Sequence, residues 1–341
     1  LIRAETQLKS KVSRILTAFL RIEREKETSR MIALVTRISD EAEHLWLEAL
    51  SLRMPEEKIV SFRHLNEEER AAVDIAIVAN PDPMDLARLP GLTWIHSLWA
   101  GVERLVSEIG DSTLPVVRLV DPQLSRTMAE AVLAWTYYLF RDMPAYARFQ
   151  RERSWQQLPY RRPEQVTVGL LGLGALGEAA AHRLTDAGFK VIGWSRSAKD
   201  IKGVETRSGD DGLNAVLRGS DILVCLLPLT SETRALLNAE KLALLPANAS
   251  LINFARGPIV VSEDLLQALD TGRLSHAVLD VFDVEPLPAD APFWDHPRIT
   301  VLPHISAPTD RETAAALVAD NIRTFRHTAT LPSIVDFARG Y

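Results

Sequence analysis

From Met31 onward, short apolar runs alternate with segments whose apolar positions recur at helical spacing. IALV is followed by an amphipathic stretch over residues 40–52, then by KIVSF, AIVAN, TWIHSLW and PVVRLV. This rhythm predicts βαβ units, because parallel neighbours need a crossover connection and a helix supplies it. A small parallel sheet covered by helices is expected. After the polar, proline-containing stretch WQQLPYRRPEQ, a stronger series begins near Val166: VTVGLLG, a helix over residues 175–187, KVIGW, DILVCLLP, SLINF, AVLDVF and ITVLP. Between the two series, residues 125–150 read as helical and carry more aromatic side chains than one helix needs to cover one sheet. Two readings stand for this stretch: an interdomain, dimer-forming helix, or an ordinary core helix.

Composition narrows the picture. A chain of 341 residues fits two domains of about 150 residues each. No apolar run approaches the 18 residues of a membrane span, so a membrane protein is not expected. The net charge of −6 argues against nucleic acid as a general partner, since phosphates demand clustered Lys and Arg. With the single cysteine Cys225 there is neither an intrachain disulfide nor a cysteine-based zinc cage, and no metal site is read. Its apolar neighbours in DILVCLLP predict a buried, inert thiol, which fits a reducing cytoplasm. Residues 1–30 carry eight Lys or Arg against four Glu and precede the first methionine, Met31. They are read as an extension, non-native or disordered, lying outside the fold.

Chemistry concentrates in the second series. Gly172, Gly174 and Gly177 form GLGALG directly after an apolar strand and at the start of a helical run. That context turns a weak motif into a dinucleotide fingerprint: a tight turn, close backbone approach to a pyrophosphate, close helix–strand packing, and a helix N-terminus that attracts the anion. An acidic residue at the end of the next strand would bind the ribose of NAD. KVIGWSRS instead places Ser195, Arg196 and Ser197 there, offering a guanidinium and hydroxyls to a 2′-phosphate, so NADP(H) is favoured with NAD(H) as a weaker substitute. The plainer reading leaves Arg196 stacked on adenine or in solvent.

Three later segments each end a predicted strand on polar residues: LINFARG on Arg256, LDVFDVEPLP on Asp280 and Glu285, and VLPHISAP on His304. In an open parallel sheet the carboxyl ends of the strands border the ligand crevice, so these side chains can converge. Singly, each has a dull explanation: a surface charge, a loop solubiliser, a histidine in a turn. Together with the fingerprint they supply what carbonyl reduction needs: a cation for the substrate, a proton donor, and a carboxylate to keep that donor protonated.

At these residues the sequence resembles the D-isomer-specific 2-hydroxyacid dehydrogenase family, and within it the glyoxylate/hydroxypyruvate reductase A branch. GLGALG, WSRS, NFARG, LDVFDVEPLP, PFWDHPRIT, LPHISA and the terminal VDFARGY match it in order and spacing over essentially residues 31–341. The resemblance implies an α/β protein of two domains. One is a Rossmann-type doubly wound coenzyme domain over residues 128–307; the other is a flavodoxin-like substrate domain over residues 31–127, completed by residues 308–341.

It further implies NADPH-dependent reduction of small 2-oxo acids such as glyoxylate and hydroxypyruvate to glycolate and D-glycerate. Arg256 would bind and polarise the oxo acid, His304 would donate the proton, and Glu285 would pair with His304. Asp280 would bond the nicotinamide end of the cofactor or, in the plainer reading, cap a helix or a loop. Ala175, Leu176, Leu227, Pro228, Ala255 and Ser306 would join the cofactor site. In SLWAGVE, the amides around Ala100 and Gly101 would hold the substrate carboxylate, with Leu98 and Trp99 as pocket walls and Trp46 closing the pocket; for both tryptophans the core is the alternative reading. A homodimer is also implied. The competing readings are a dinucleotide-sensing, corepressor-like binding protein and an NAD-linked dehydrogenase of another substrate. Formate dehydrogenases of the family carry Gln where Glu285 stands, and fit less well.

Overall fold

The computed structural model describes residues 30–110 and 112–337, so all but one of residues 1–30, read above as an extension, lie outside the described residues. The described chain divides into two compact units, one ending at Leu119 and including Arg311–Phe337, the other spanning Val120–Asp310.

The first unit holds a five-stranded parallel sheet in the order β2-β1-β3-β4-β5, built from β1 (Met31–Thr36), β2 (Ile59–Ser61), β3 (Val73–Ala79), β4 (Trp94–Ser97) and β5 (Val116–Val117). This is the flavodoxin-like order. Every residue of β1 is buried, as a strand covered on both faces requires. Ile32 and Leu34 enter one core and Met31, Ala33 and Val35 the other. Helix α1 (Asp40–Arg53) starts where Ser39 caps the Ala42 amide, and three acidic residues in its first turn complement the helix dipole. Its Trp46 and Leu50 share a core with Ala314, Ala315, Val318 and Ile322 of the C-terminal helix Arg311–Thr328. That helix is also fastened by charge: Arg326 donates to both carboxylate oxygens of Asp74 and to both of Glu57. The last segment thus completes the first unit.

In the second unit the strands run β12-β11-β10-β9-β6-β7-β8, all parallel. They are β6 (Thr167–Leu171), β7 (Lys190–Trp194), β8 (Glu205–Arg207), β9 (Ile222–Cys225), β10 (Ala249–Asn253), β11 (Leu274–Leu279) and β12 (Ile299–Val301). This is the doubly wound Rossmann order with one extra strand, and the strand order reverses between β6 and β9. Alternate residues feed opposite cores: Ile222 and Val224 one, Leu223 and Cys225 the other. Cys225 is fully buried, and burial pushes its thiol up to about 12, which leaves it inert at neutral pH.

The helical stretch read over residues 125–150 is two helices, not one. Helix α2 (Pro122–Phe140) begins with Asp121 capping the Gln123 amide and Pro122 in the first turn. Asp142, with φ 54°, breaks the axis before α3 (Met143–Arg151), whose own first turn holds Pro144. Among the described residues, no helix is long and apolar enough to cross a membrane.

Candidate active site

The glycine turn follows β6. Gly172 has φ 99°, and a Cβ there would lie 2.8 Å from the Leu226 carbonyl oxygen, so both its conformation and its contact with the β9 loop demand glycine. A Cβ on Gly177 would come 1.8 Å from the Gly172 oxygen, which closes the start of helix α4 (Ala175–Asp186) onto the turn. Gly174 differs: an added Cβ meets no protein atom within 4 Å. This glycine is spared a side chain on the outer side, where a bound anion would approach the N-terminal amides of α4, and no side chain caps that terminus. The turn therefore fits a dinucleotide pyrophosphate. At the end of β7, Ser195 is buried and its hydroxyl donates to the Ser197 carbonyl at 2.7 Å, while Arg196 and Ser197 are exposed on the loop.

Beyond β9, Leu227 is buried and Pro228 half-buried. The Pro228 carbonyl accepts from the Thr233 hydroxyl at 2.6 Å, and Thr230 and Thr233 cap each other's amides, which stiffens this loop. Sequence reading missed Thr230 and Thr233, although a Thr-x-x-Thr spacing after a strand end is a capping signal.

The remaining polar residues stand on consecutive strand ends. Beyond β10, Ala255 is buried and Arg256 half-buried, with the Arg256 guanidinium donating to the Ala255 carbonyl at 2.6 Å. Gly257 brings this loop onto the next one: a Cβ there would lie 2.1 Å from the Phe282 carbonyl carbon. Glu285 belongs to that neighbouring loop. Its Oε1 accepts the Phe282 amide at 2.9 Å and its Oε2 accepts from His304 Nδ1 at 2.7 Å. Because a carboxylate only accepts, Nδ1 carries the hydrogen, and Nε2 is the nitrogen that remains to meet a ligand.

Asp280 organises the His304 turn. It is fully buried; its backbone carbonyl accepts the His304 amide at 3.0 Å, and its two carboxylate oxygens accept Ile305 and Ser306 at 2.7 and 2.8 Å. His304 sits at φ 55°, a left-handed conformation that costs a non-glycine residue about 1–2 kcal/mol. Three hydrogen bonds to one residue offset that cost, two of them to a charged acceptor. The Asp280 carboxylate thus caps the loop at residues 305–306. It also brings Ser306 beside Asp280.

The electrostatics follow from this geometry. The hydrogen bond to Glu285 raises the His304 pKa above 6.5; burial and the Arg256 charge oppose the shift without reversing it. Burial pushes the Glu285 carboxyl upward. The His304 and Phe282 hydrogen bonds, with the His304 and Arg256 charges, outweigh that and hold it below 4.5. Arg256 thus influences both members of the pair, and the three side chains form one electrostatic unit.

In the first unit, Trp46 and Leu98 are core residues, at 4% and 0% exposure. Helix α1 turns the Trp46 face onto the sheet, where the tryptophan meets the half-buried Trp99 edge-on. Trp99 is pinned through its amide to the Ser97 hydroxyl and through its carbonyl to the Leu119 amide. Ala100 and Gly101 follow β4 on a half-buried loop, and among the described residues no acceptor meets either amide.

Residues 133–306 match the sequence profile of the D-isomer specific 2-hydroxyacid dehydrogenase NAD binding domain. The chain belongs to the D-isomer specific 2-hydroxyacid dehydrogenase family. Among curated members of this family, it is 38% identical over 302 residues to the glyoxylate/hydroxypyruvate reductase A of Serratia proteamaculans, covering 87% of this chain and 96% of the relative. The Yersinia enterocolitica protein of the same name is 37% identical over the same coverage. A solved family member from Xanthobacter autotrophicus Py2, in complex with NADPH and MES, superposes with a TM-score of 0.85 at 38% identity, covering 91% of this chain and 99% of that one. The NADPH-dependent glyoxylate/hydroxypyruvate reductase of Sinorhizobium meliloti, with NADP and sulfate, gives 0.84 at 35% identity, covering 92% and 100%.

Proposed function

We propose that this dehydrogenase reduces small 2-oxo acids of the glyoxylate and hydroxypyruvate class to glycolate and D-glycerate with NADPH. The observation that carries the reading is the Glu285–His304 pair, held at 2.7 Å and within the electrostatic reach of Arg256. The glycine turn at Gly172, Gly174 and Gly177, with Ala175 and Leu176 opening α4, would hold the pyrophosphate. Leu227, Pro228, Ala255, Asp280 and Ser306 would line the path of the cofactor. Bound there, the reduced nicotinamide supplies a hydride to the carbonyl carbon of the substrate.

Arg256 binds the substrate and polarises its carbonyl, so negative charge building on the oxygen meets a fixed cation. His304 Nε2 delivers a proton to that oxygen, and the neutral imidazole left behind keeps its Nδ1 hydrogen on Glu285. Glu285 stays ionised throughout. The Ala100 and Gly101 amides, beside Trp99, are read as the holders of the substrate carboxylate. The units ending at Leu119 and spanning Val120–Asp310 accordingly take the substrate and coenzyme roles.

This assignment fixes a pH dependence. Reduction needs protonated His304, so kcat/KM should be level on the acid side and fall as pH rises through a midpoint above 6.5. Glu285→Gln keeps a hydrogen-bonding oxygen but removes the charge, and should move that midpoint down. An unmoved midpoint would remove Glu285 from its role. The raised His304 pKa and the lowered Glu285 pKa give the pair its full stabilising contribution between the two unfolded values, about 4.5 and 6.5; it is lost as pH rises through the folded His304 value and as pH falls through the folded Glu285 value.

Arg196, with the hydroxyls of Ser195 and Ser197, is read as the 2′-phosphate site. Arg196→Ala should raise the KM for NADPH roughly 10- to 100-fold, the worth of a charge-assisted contact, and leave NADH nearly unchanged. Equal loss with both cofactors would refute the assignment. A homodimer joined through the second unit is supported by the exposed Met143, Tyr146, Trp155 and Tyr160, the last two at 96% and 67% exposure. Sedimentation should then find twice the 37.9 kDa chain mass; a monomer at micromolar concentration would argue against it.

A further inference from the structure

We propose that Asn253 is a positioning residue that sets the Arg256 guanidinium for the reaction; this rests on the reading of Arg256 as the substrate cation. Asn253 ends the buried strand β10, directly after Leu251 and Ile252, and is only 1% exposed. A buried amide costs free energy unless its bonds are made, and a valine would serve the sheet as well. Here both ends of the amide are used, and both on the same loop. Oδ1 accepts the Ala255 N–H at 3.2 Å, and Nδ2 donates to the Arg256 carbonyl at 3.2 Å.

The guanidinium itself rests on the Ala255 carbonyl at 2.6 Å. Asn253 therefore clamps the peptide groups on either side of the Ala255–Arg256 peptide, whose carbonyl holds the guanidinium. Its own backbone is fixed in turn, since the Asn253 carbonyl accepts the Asp280 amide at 3.1 Å at the mouth of β11. Gly257 and Ile259 complete the frame: the first presses the loop against Phe282, and the amide of the second also donates to the Arg256 carbonyl, at 3.3 Å. The loop is thus held on one side by the Glu285 segment and on the other by Asn253. Removing the amide frees only the second side, so the fold can persist while Arg256 loses its alignment.

The test is a double-mutant cycle on the full chain with NADPH and glyoxylate, using Asn253→Ala, Arg256→Ala and the double variant, with NADPH binding followed by fluorescence. Asn253→Ala is expected to lower kcat/KM roughly 10- to 100-fold, the scale of a misplacement of about 1 Å, raising KM and lowering kcat together while NADPH affinity changes little. Added to Arg256→Ala, it should cost almost nothing more. Asn253→Ser, whose hydroxyl can still meet the Ala255 amide, should recover part of the loss. Losses that multiply in the double variant would overturn the proposal. So would NADPH affinity falling as much as kcat/KM, or NADPH binding absent from both Asn253 variants, because Asn253 would then serve the fold or the cofactor. An Arg256→Ala enzyme with full activity would instead remove the functional reading itself and this proposal with it.

Discussion

His304→Asn is expected to lose about 10²- to 10⁴-fold in kcat for 2-oxo acid reduction, the usual worth of a placed general acid. Asparagine is the informative replacement because His304 occupies φ 55°, a conformation Asn tolerates better than most residues. The turn held by Asp280 through residues 304–306 should survive, so NADPH affinity and Tm should stay close to the parent while turnover collapses. Steady-state kinetics beside NADPH titration separate the two. A variant that kept its activity would remove His304 as the proton donor, whatever the geometry of its pair with Glu285.

Arg256→Ala should cost on the order of 10³-fold in kcat/KM, at the upper end of what removing one donor to a developing oxyanion costs. Both parameters should suffer, since the guanidinium is read as binding the ground state and stabilising the alkoxide that develops from it. Arg256→Lys should recover only part, because an ammonium keeps the charge and loses the planar fork. The His304 midpoint should also rise in Arg256→Ala, since the Arg256 charge opposes the upward shift of the imidazole. A KM effect alone, with kcat intact, would reduce Arg256 to a binding residue.

Much of this architecture was legible in the sequence because parallel strands buried on both faces write themselves as apolar runs. IALV, DILVCLLP and SLINF are such runs and became β1, β9 and β10. The edge strand β8 was not foreseen, since its three residues, Glu205–Arg207, are polar and pair on one side only. GLGALG was legible because its glycines answer to local contacts: Gly172 to the Leu226 carbonyl and Gly177 to Gly172.

Residues that act through backbone were harder. Asn253 closes an apolar run and reads as an ordinary strand end; its function depends on where the chain turns two residues later. Trp46 lay on the apolar stripe of a helix, and periodicity alone does not separate a core face from a pocket wall. For Asp280, position at a strand end pointed to the ligand crevice, but not to the two loop amides that its carboxylate holds. The break at Asp142 had a visible cue in Pro144, yet the aromatic density of residues 125–150 favoured one continuous helix.

The most direct test is the loss of NADPH absorbance, and separately of NADH, when purified protein meets glyoxylate or hydroxypyruvate. Rapid oxidation of NADPH with much weaker use of NADH is the predicted result. Tight NADPH binding with no turnover on any small 2-oxo acid would contradict the account, and would make the chain a dinucleotide sensor on a dehydrogenase scaffold.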